Sequence, residues 1–199
     1  MNERPPPAHI TKNAAVHRPC RDRRPRRHGV TCGTVTHNDI LRSVRYLLDV
    51  GDARLAEIIR LGGGAVTAAE LGAWLKREDE PGYVECGHQP MAQFLNGLII
   101  YKRGKDESRP PLPLEVPVTN NTILKRLRVA FELKDSDIIS LLERTGLRVS
   151  KAELGAFFRR PDHRNYRECG DQFLRNLLRG LGLPATTPPA TGMPVGKRG

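Results

Sequence analysis

Apolar residues recur at helical spacing from Thr36 onward and predict one amphipathic helix after another. The first helix places its apolar residues on one face, at Ile40, Leu41, Val44, Leu47 and Leu48. A second begins at Asp52 and ends at Gly63, since glycine commonly terminates helices. A third opens at the capping box Thr67-x-x-Glu70, and a fourth carries FLNGLI. No segment alternates like a strand over a useful length, so we predict an all-α fold.

The same series of helices occurs twice along the chain. When the sequence is shifted by 83 residues, 19 of the 52 positions from Thr36 to Gly87 are identical to their partners in 119–170. The capping box of the third helix recurs as Ser150-x-x-Glu153, and YVECG recurs as YRECG. These matches predict two homologous tandem modules of about four short helices each.

Composition sets the limits of the modules. We assign residues 36–105 to module 1 and 119–182 to module 2, joined by a Pro-rich, extended linker over 106–118. Residues 1–35 are rich in Arg and Pro and lack apolar periodicity, which predicts a disordered basic arm. Residues 183–199 predict a second disordered tail.

Positive charge is unevenly distributed. The formal net charge is +11, of which residues 1–35 contribute +6 (eight basic, two acidic). The segment 36–110 sums to −1 and the segment 111–182 to +4. An excess of positive charge favours an anionic partner such as nucleic acid, and module 2 is the more basic module. A solvated surface of mixed charge explains the same residues equally well, because acidic side chains lie among them.

The cysteines give little support to a disulfide scaffold or a metal site. Cys20, Cys32, Cys86 and Cys169 are too few and too scattered for a disulfide scaffold, and no apolar run is long enough to span a bilayer. We therefore expect a cytoplasmic protein with reduced thiols and no membrane partner. Zinc binding by Cys86 and Cys169 with His88 and His163 does not follow the usual ligand spacings, so no metal and no cofactor are predicted.

A catalytic thiol is a distant alternative. Cys169, His163 and Asp162 lie close together in sequence, but module 1 has Glu80 where module 2 has His163. A buried cysteine that packs as a small apolar side chain is the favoured interpretation. We accordingly predict no catalytic residue.

The second and third helices of module 2 resemble a helix-turn-helix. Arg148 would lie in the turn, and Lys151, Ala152 and Arg159 would be exposed on the third helix. A hairpin used only for packing would have the same pattern. The residues that we predict to contact phosphates are Lys125, Arg128, Arg148, Lys151, Arg159 and Arg160.

Three stretches resemble a known family. NDILRSVRYLL, the segment FLNGLIIYKRGKDES and RPDHRNYRECGDQFLRNLLRGL are similar to the YehS-like bacterial proteins, which contain a domain of unknown function in two copies. The resemblance covers 36–182 and implies no known activity or catalytic residue. It also implies a start just before the Asn-Asp-Ile-Leu segment, and we hypothesise that the native chain begins near Val35.

These observations predict a non-enzymatic binding or regulatory protein that engages DNA or RNA through module 2. The alternative is a protein–protein adaptor built from duplicated helical modules. A Cys/His-dependent enzyme remains the distant third interpretation. The sequence leaves the oligomeric state open.

Overall fold

The computed structural model describes residues 34–105, 107–108 and 110–184, and within them it is all-helical, as predicted. The helices fall into two sets of four, one on each side of the linker. They are α1 (His37–Leu48), α2 (Asp52–Leu61), α3 (Ala68–Leu75), α4 (His88–Arg103), α5 (Asn120–Ala130), α6 (Asp135–Arg144), α7 (Lys151–Phe157) and α8 (Asp171–Leu181). The predicted basic arm, except Thr34 and Val35, and the tail beyond Pro184 lie outside the described residues.

The capping boxes and the helix-terminating glycines are found where the sequence predicts them. The side chains of Thr67 and Ser150 accept hydrogen bonds from the third backbone N–H of α3 and α7, and the glutamate at that position bonds back. Gly63 and Gly146 follow α2 and α6 with φ angles of 82° and 84°. Glycine adopts this left-handed backbone without steric cost, so both helices end where the sequence predicts.

The backbones of α2 and α4 are in direct contact at two glycines. A Cβ atom placed on Gly97 would come within 1.7 Å of the Ile58 carbonyl oxygen, and one on Gly62 within 1.8 Å of the Gln93 carbonyl oxygen. Module 2 packs α6 on α8 with Gly180 at the contact, where a Cβ atom would lie 2.8 Å from the Leu141 carbonyl oxygen. Each module thus brings its second and fourth helices together at glycine.

The eight helices share one core. Module 1 packs α4 against α5, and module 2 returns α8 to α1, where Gly182 lies beside Leu47. Buried residues of both modules, from Ile40 to Leu178, belong to a single apolar cluster. The two modules are therefore packed together rather than connected only by the linker.

Two buried polar side chains fix the linker to this core. The Nδ2 atom of Asn96, a residue that is 4% exposed, donates to the carbonyl oxygen of Leu112 at 3.0 Å. Arg126, only 8% exposed, donates to the carbonyl oxygen of Pro113 and forms an ion pair with Glu115 at 3.0 Å. Arg126 is a basic residue of module 2 whose charge is used internally, so it does not contribute to an exposed basic surface.

None of the helices in the described ranges is both long enough and apolar enough to cross a membrane.

Candidate functional site

The repeated Glu-Cys-Gly segments are held by a buried asparagine in each module. In module 2, Nδ2 of Asn121 donates to the carbonyl oxygens of Phe157 and Arg167, both at 2.9 Å. Its Oδ1 accepts from the backbone N–H of Cys169, also at 2.9 Å. Asn38 makes the same three bonds in module 1, to Trp74, Val84 and Cys86. This asparagine clamp ties the first helix, the end of the third helix and the Glu-Cys-Gly segment together.

The thiols inside the clamps are unsuited to nucleophilic chemistry. Cys86 is 1% exposed and Cys169 is 4% exposed. Burial, followed by the negative charge of a neighbouring carboxylate, raises the pKa of each thiol to about 12. His163 is exposed, and its Nδ1 lies 3.0 Å from the backbone N–H of Asn165. Among the described residues no group of three or more His, Cys, Asp or Glu side chains could hold a metal ion.

We expect the native protein to resist alkylation at Cys86 and Cys169. A thiol with a pKa of about 12 is almost wholly protonated at pH 8, and burial excludes the reagent as well. Brief treatment with iodoacetamide at pH 8, followed by peptide mass spectrometry, should show less than about a tenth of the modification seen in urea. Equal labelling of native and unfolded chains would contradict the burial of these thiols.

The predicted phosphate-contacting residues lie on α5, around the start of α7 and in the loop after α7. Lys125 and Arg128 are on α5, where Asn121, one turn before Lys125, bonds to the Phe157 carbonyl at the end of α7. Arg148 and Lys151 are exposed at the start of α7. The other two follow the end of α7: Arg159 lies 3.4 Å from His163, and Arg160 forms an exposed ion pair with Asp162.

Arg128 has internal partners that account for its position. Its guanidinium forms an ion pair with Asp135 at 2.9 Å and lies over the ring of Phe158, 4.5 Å from the ring centroid. In module 1 the matching pair, Arg45 and Asp52, forms the same ion pair at 2.8 Å. This arginine joins the first two helices in both modules, and its charge is already compensated.

The expectation that Arg159 lies on the third helix is wrong. The helix ends at Phe157, and the Phe158 N–H bonds to the Gly155 carbonyl in a tightened last turn. Pro161 follows shortly afterwards and disfavours helical backbone in the residue before it. A helix of seven residues exposes only Lys151, Ala152 and Glu153 in its first turn, and Glu153 is used by the capping box.

Two further arginines, Arg164 and Arg167, follow α7 in the chain and were not assigned to the site from the sequence. The Arg167 N–H bonds to the Ala156 carbonyl at 3.3 Å, so the segment around Arg167 contacts the last turn of the helix. Arg167 also lies near enough to Glu153 to help lower the pKa of that carboxyl, after the larger effect of the hydrogen bonds from Ser150. Arg148, Lys151, Arg164 and Arg167 are all exposed and form no ion pair with any other described residue.

The third helix and the loops around it carry opposite charge in the two modules. We define the α7 surface as residues 145–170 and the α3 surface as its counterpart, residues 62–87. The α7 surface has six basic and three acidic residues, giving +3, whereas the α3 surface has two basic and five acidic residues, giving −3. The difference in charge comes from side-chain substitutions, since the two surfaces are formed by corresponding segments of the two modules. The module 1 residues Ala65, Ala68, Glu78, Glu80, Pro81 and Val84 correspond to Arg148, Lys151, Pro161, His163, Arg164 and Arg167.

A separate cleft lies where α2 and α4 end. Its volume is about 800 Å³, and its walls are largely apolar. The partly exposed side chains of Leu61, Leu112 and Val129 line it, together with Arg103. Arg103 forms an ion pair with Glu132 at 3.2 Å, so the charge at this rim is compensated.

Two four-helix modules, each closed by an asparagine clamp, define an all-α protein with an internally duplicated domain. The family described as "Protein of unknown function (DUF1456)" matches the chain twice, over residues 37–104 and 120–184. The chain is 52% identical over 144 residues to the "Uncharacterized protein YehS" of Escherichia coli strain K12, covering 72% of this chain and 92% of that protein. It therefore belongs to the DUF1456 family, which confirms the YehS-like resemblance. No solved structure matches the chain.

Proposed function

We propose that this protein binds nucleic acid through the α7 surface of module 2. The observation that carries the proposal is the change from −3 to +3 between two surfaces built on the same backbone plan. The asparagine clamp and the capping box account for the shared residues of the two surfaces, whereas neither requires the added cations. Exposed cations that form no ion pair with another described residue, such as Arg148 and Lys151, are suited to neutralising phosphates.

The test is to replace two cations with the residues that module 1 has at the same positions. Arg148→Ala together with Lys151→Ala should weaken binding about tenfold near 0.1 M salt and reduce the slope of log K against log salt by about two. Fluorescence anisotropy of the full chain with labelled duplex DNA and with structured RNA measures both quantities. Alanine is compatible with both positions, since Ala65 and Ala68 occupy them in module 1.

The matched control removes the same charge elsewhere. Arg60 and Arg77 are exposed cations of module 1, and replacing both with Ala changes the net charge equally. The control should retain most of the affinity. Equal weakening by the two double variants would show that net charge alone drives binding, and absence of binding by the unmodified chain would refute the proposal.

A protein–protein adaptor is the second candidate, and the cleft beside Leu61 and Val129 favours it. Exposed apolar side chains around a concave surface are typical of sites that receive a partner. The two candidates respond differently to nuclease. A protein held in the cleft stays bound after nuclease treatment and is lost from Val129→Asp, whereas material held by the α7 surface is released.

A further inference from the structure

Gly155 occupies a position in α7 where the fold has no need of glycine. Glycine is the poorest helix former after proline, and its usual structural reasons are a positive φ or a close internal contact. Gly155 has neither, since a Cβ atom placed on it would meet nothing within 4 Å. Gly97 and Gly180 differ from it, because a Cβ atom there would collide with a neighbouring helix.

The bare backbone at Gly155 lies near exposed cations of the α7 surface. Lys151 is one turn earlier on the same face of the helix, and Arg148 lies in the loop before it. Arg167 belongs to the segment that bonds to Ala156, the next residue of α7. A partner that approached α7 here would meet a stretch of helix without a side chain, with cations nearby in the sequence before it and in the segment that bonds to Ala156.

We infer that the sugar–phosphate backbone of the bound nucleic acid crosses α7 at Gly155, where the missing side chain permits close approach. This inference rests on the proposed function and adds where the strand lies and how it is recognised. The α7 face offers Lys151, Ala152 and Gly155, which provide one cation and no aromatic or amide group for reading bases. Contacts at this face are therefore directed to the backbone and are independent of base sequence.

The inference is tested by Gly155→Ala in the full chain. Alanine favours helix and has free space, so the midpoint of urea unfolding should stay the same or rise. Affinity for nucleic acid should nevertheless fall about tenfold, as expected when a strand is displaced from one or two phosphate contacts. Unrelated duplexes of equal length should bind the unmodified chain within about threefold of one another.

Gly72 provides the matched control. It is the counterpart of Gly155 in α3, and a Cβ atom there also meets nothing within 4 Å. Gly72→Ala should leave affinity unchanged. If Arg148→Ala with Lys151→Ala weakens binding while Gly155→Ala does not, the crossing at Gly155 is refuted and the proposed function stands. If the unmodified chain binds no nucleic acid, both are refuted, and equal loss from Gly72→Ala would also overturn the assignment to α7.

Discussion

Replacing Asn121 with Ala should lower the free energy of unfolding by about 3 kcal/mol or more. The substitution leaves the Cys169 N–H without its partner and removes the donor to the Phe157 and Arg167 carbonyls, all bonded at 2.9 Å. Each buried backbone group that loses its hydrogen bond costs about 1–3 kcal/mol. The loss is large because one side chain satisfies three backbone groups.

Urea unfolding followed by circular dichroism measures this loss. Asn38→Ala removes the same three bonds from module 1 and should produce a similar decrease. Asn165→Ala serves as the control, since Asn165 is exposed, and it should change stability by less than about 0.5 kcal/mol. A decrease below about 1 kcal/mol for Asn121→Ala would contradict the clamp.

Gly97→Ala should destabilise the protein by about 3 kcal/mol or more, although alanine is the better helix former. The new methyl group would lie 1.7 Å from the Ile58 carbonyl oxygen and 2.9 Å from the Gly62 nitrogen. These atoms belong to the backbone of α2 and its cap, so the helices must separate to accept it. Separation reduces the packing of α2 on α4 and of the apolar side chains beside it.

The control for Gly97→Ala is Gly72→Ala, where the added methyl group has free space. We expect that variant to be as stable as the unmodified chain or more stable by up to about 1 kcal/mol. The midpoint of thermal unfolding, measured by calorimetry, compares the two. Equal stability of the two variants would show that α2 and α4 are not in backbone contact.

Local signals made most of the fold predictable. Capping boxes at Thr67 and Ser150 and glycine stops at Gly63 and Gly146 depend on neighbouring residues only, and the structure contains all of them. Contacts between distant residues were not predictable in the same way. No local pattern indicates that Gly97 lies against Ile58, because that contact depends on how two helices cross.

The asparagine of the clamp was visible in the sequence, but its role was not. Asn38 and Asn121 both stand beside the apolar face of a first helix and are identical in the two modules. A polar residue in that position must have buried partners, yet the sequence does not say which. The same limit applies to Arg128, because no local pattern indicates its ion pair with Asp135 or its stacking on Phe158.

The α7 surface could have been found more fully from the sequence. Position-by-position comparison of the modules pairs Pro81 with Arg164 and Val84 with Arg167, and those differences required no structure. The residue at which α7 ends was harder to predict. Arg159 continues the helical spacing of the residues before it, and only the tightened turn at Phe158 removes it from the helix.

The contacts between the modules also bear on how such a chain could arise. The last helix of module 1 packs on the first helix of module 2, and the last helix of module 2 touches the first of module 1. A two-fold symmetric homodimer of a single module would make this contact between last and first helices twice, once on each side of its axis. The chain therefore has the arrangement of a homodimer fused into one polypeptide. Fusion removes the requirement that both halves keep the same surface, so one half can become basic while the other stays acidic.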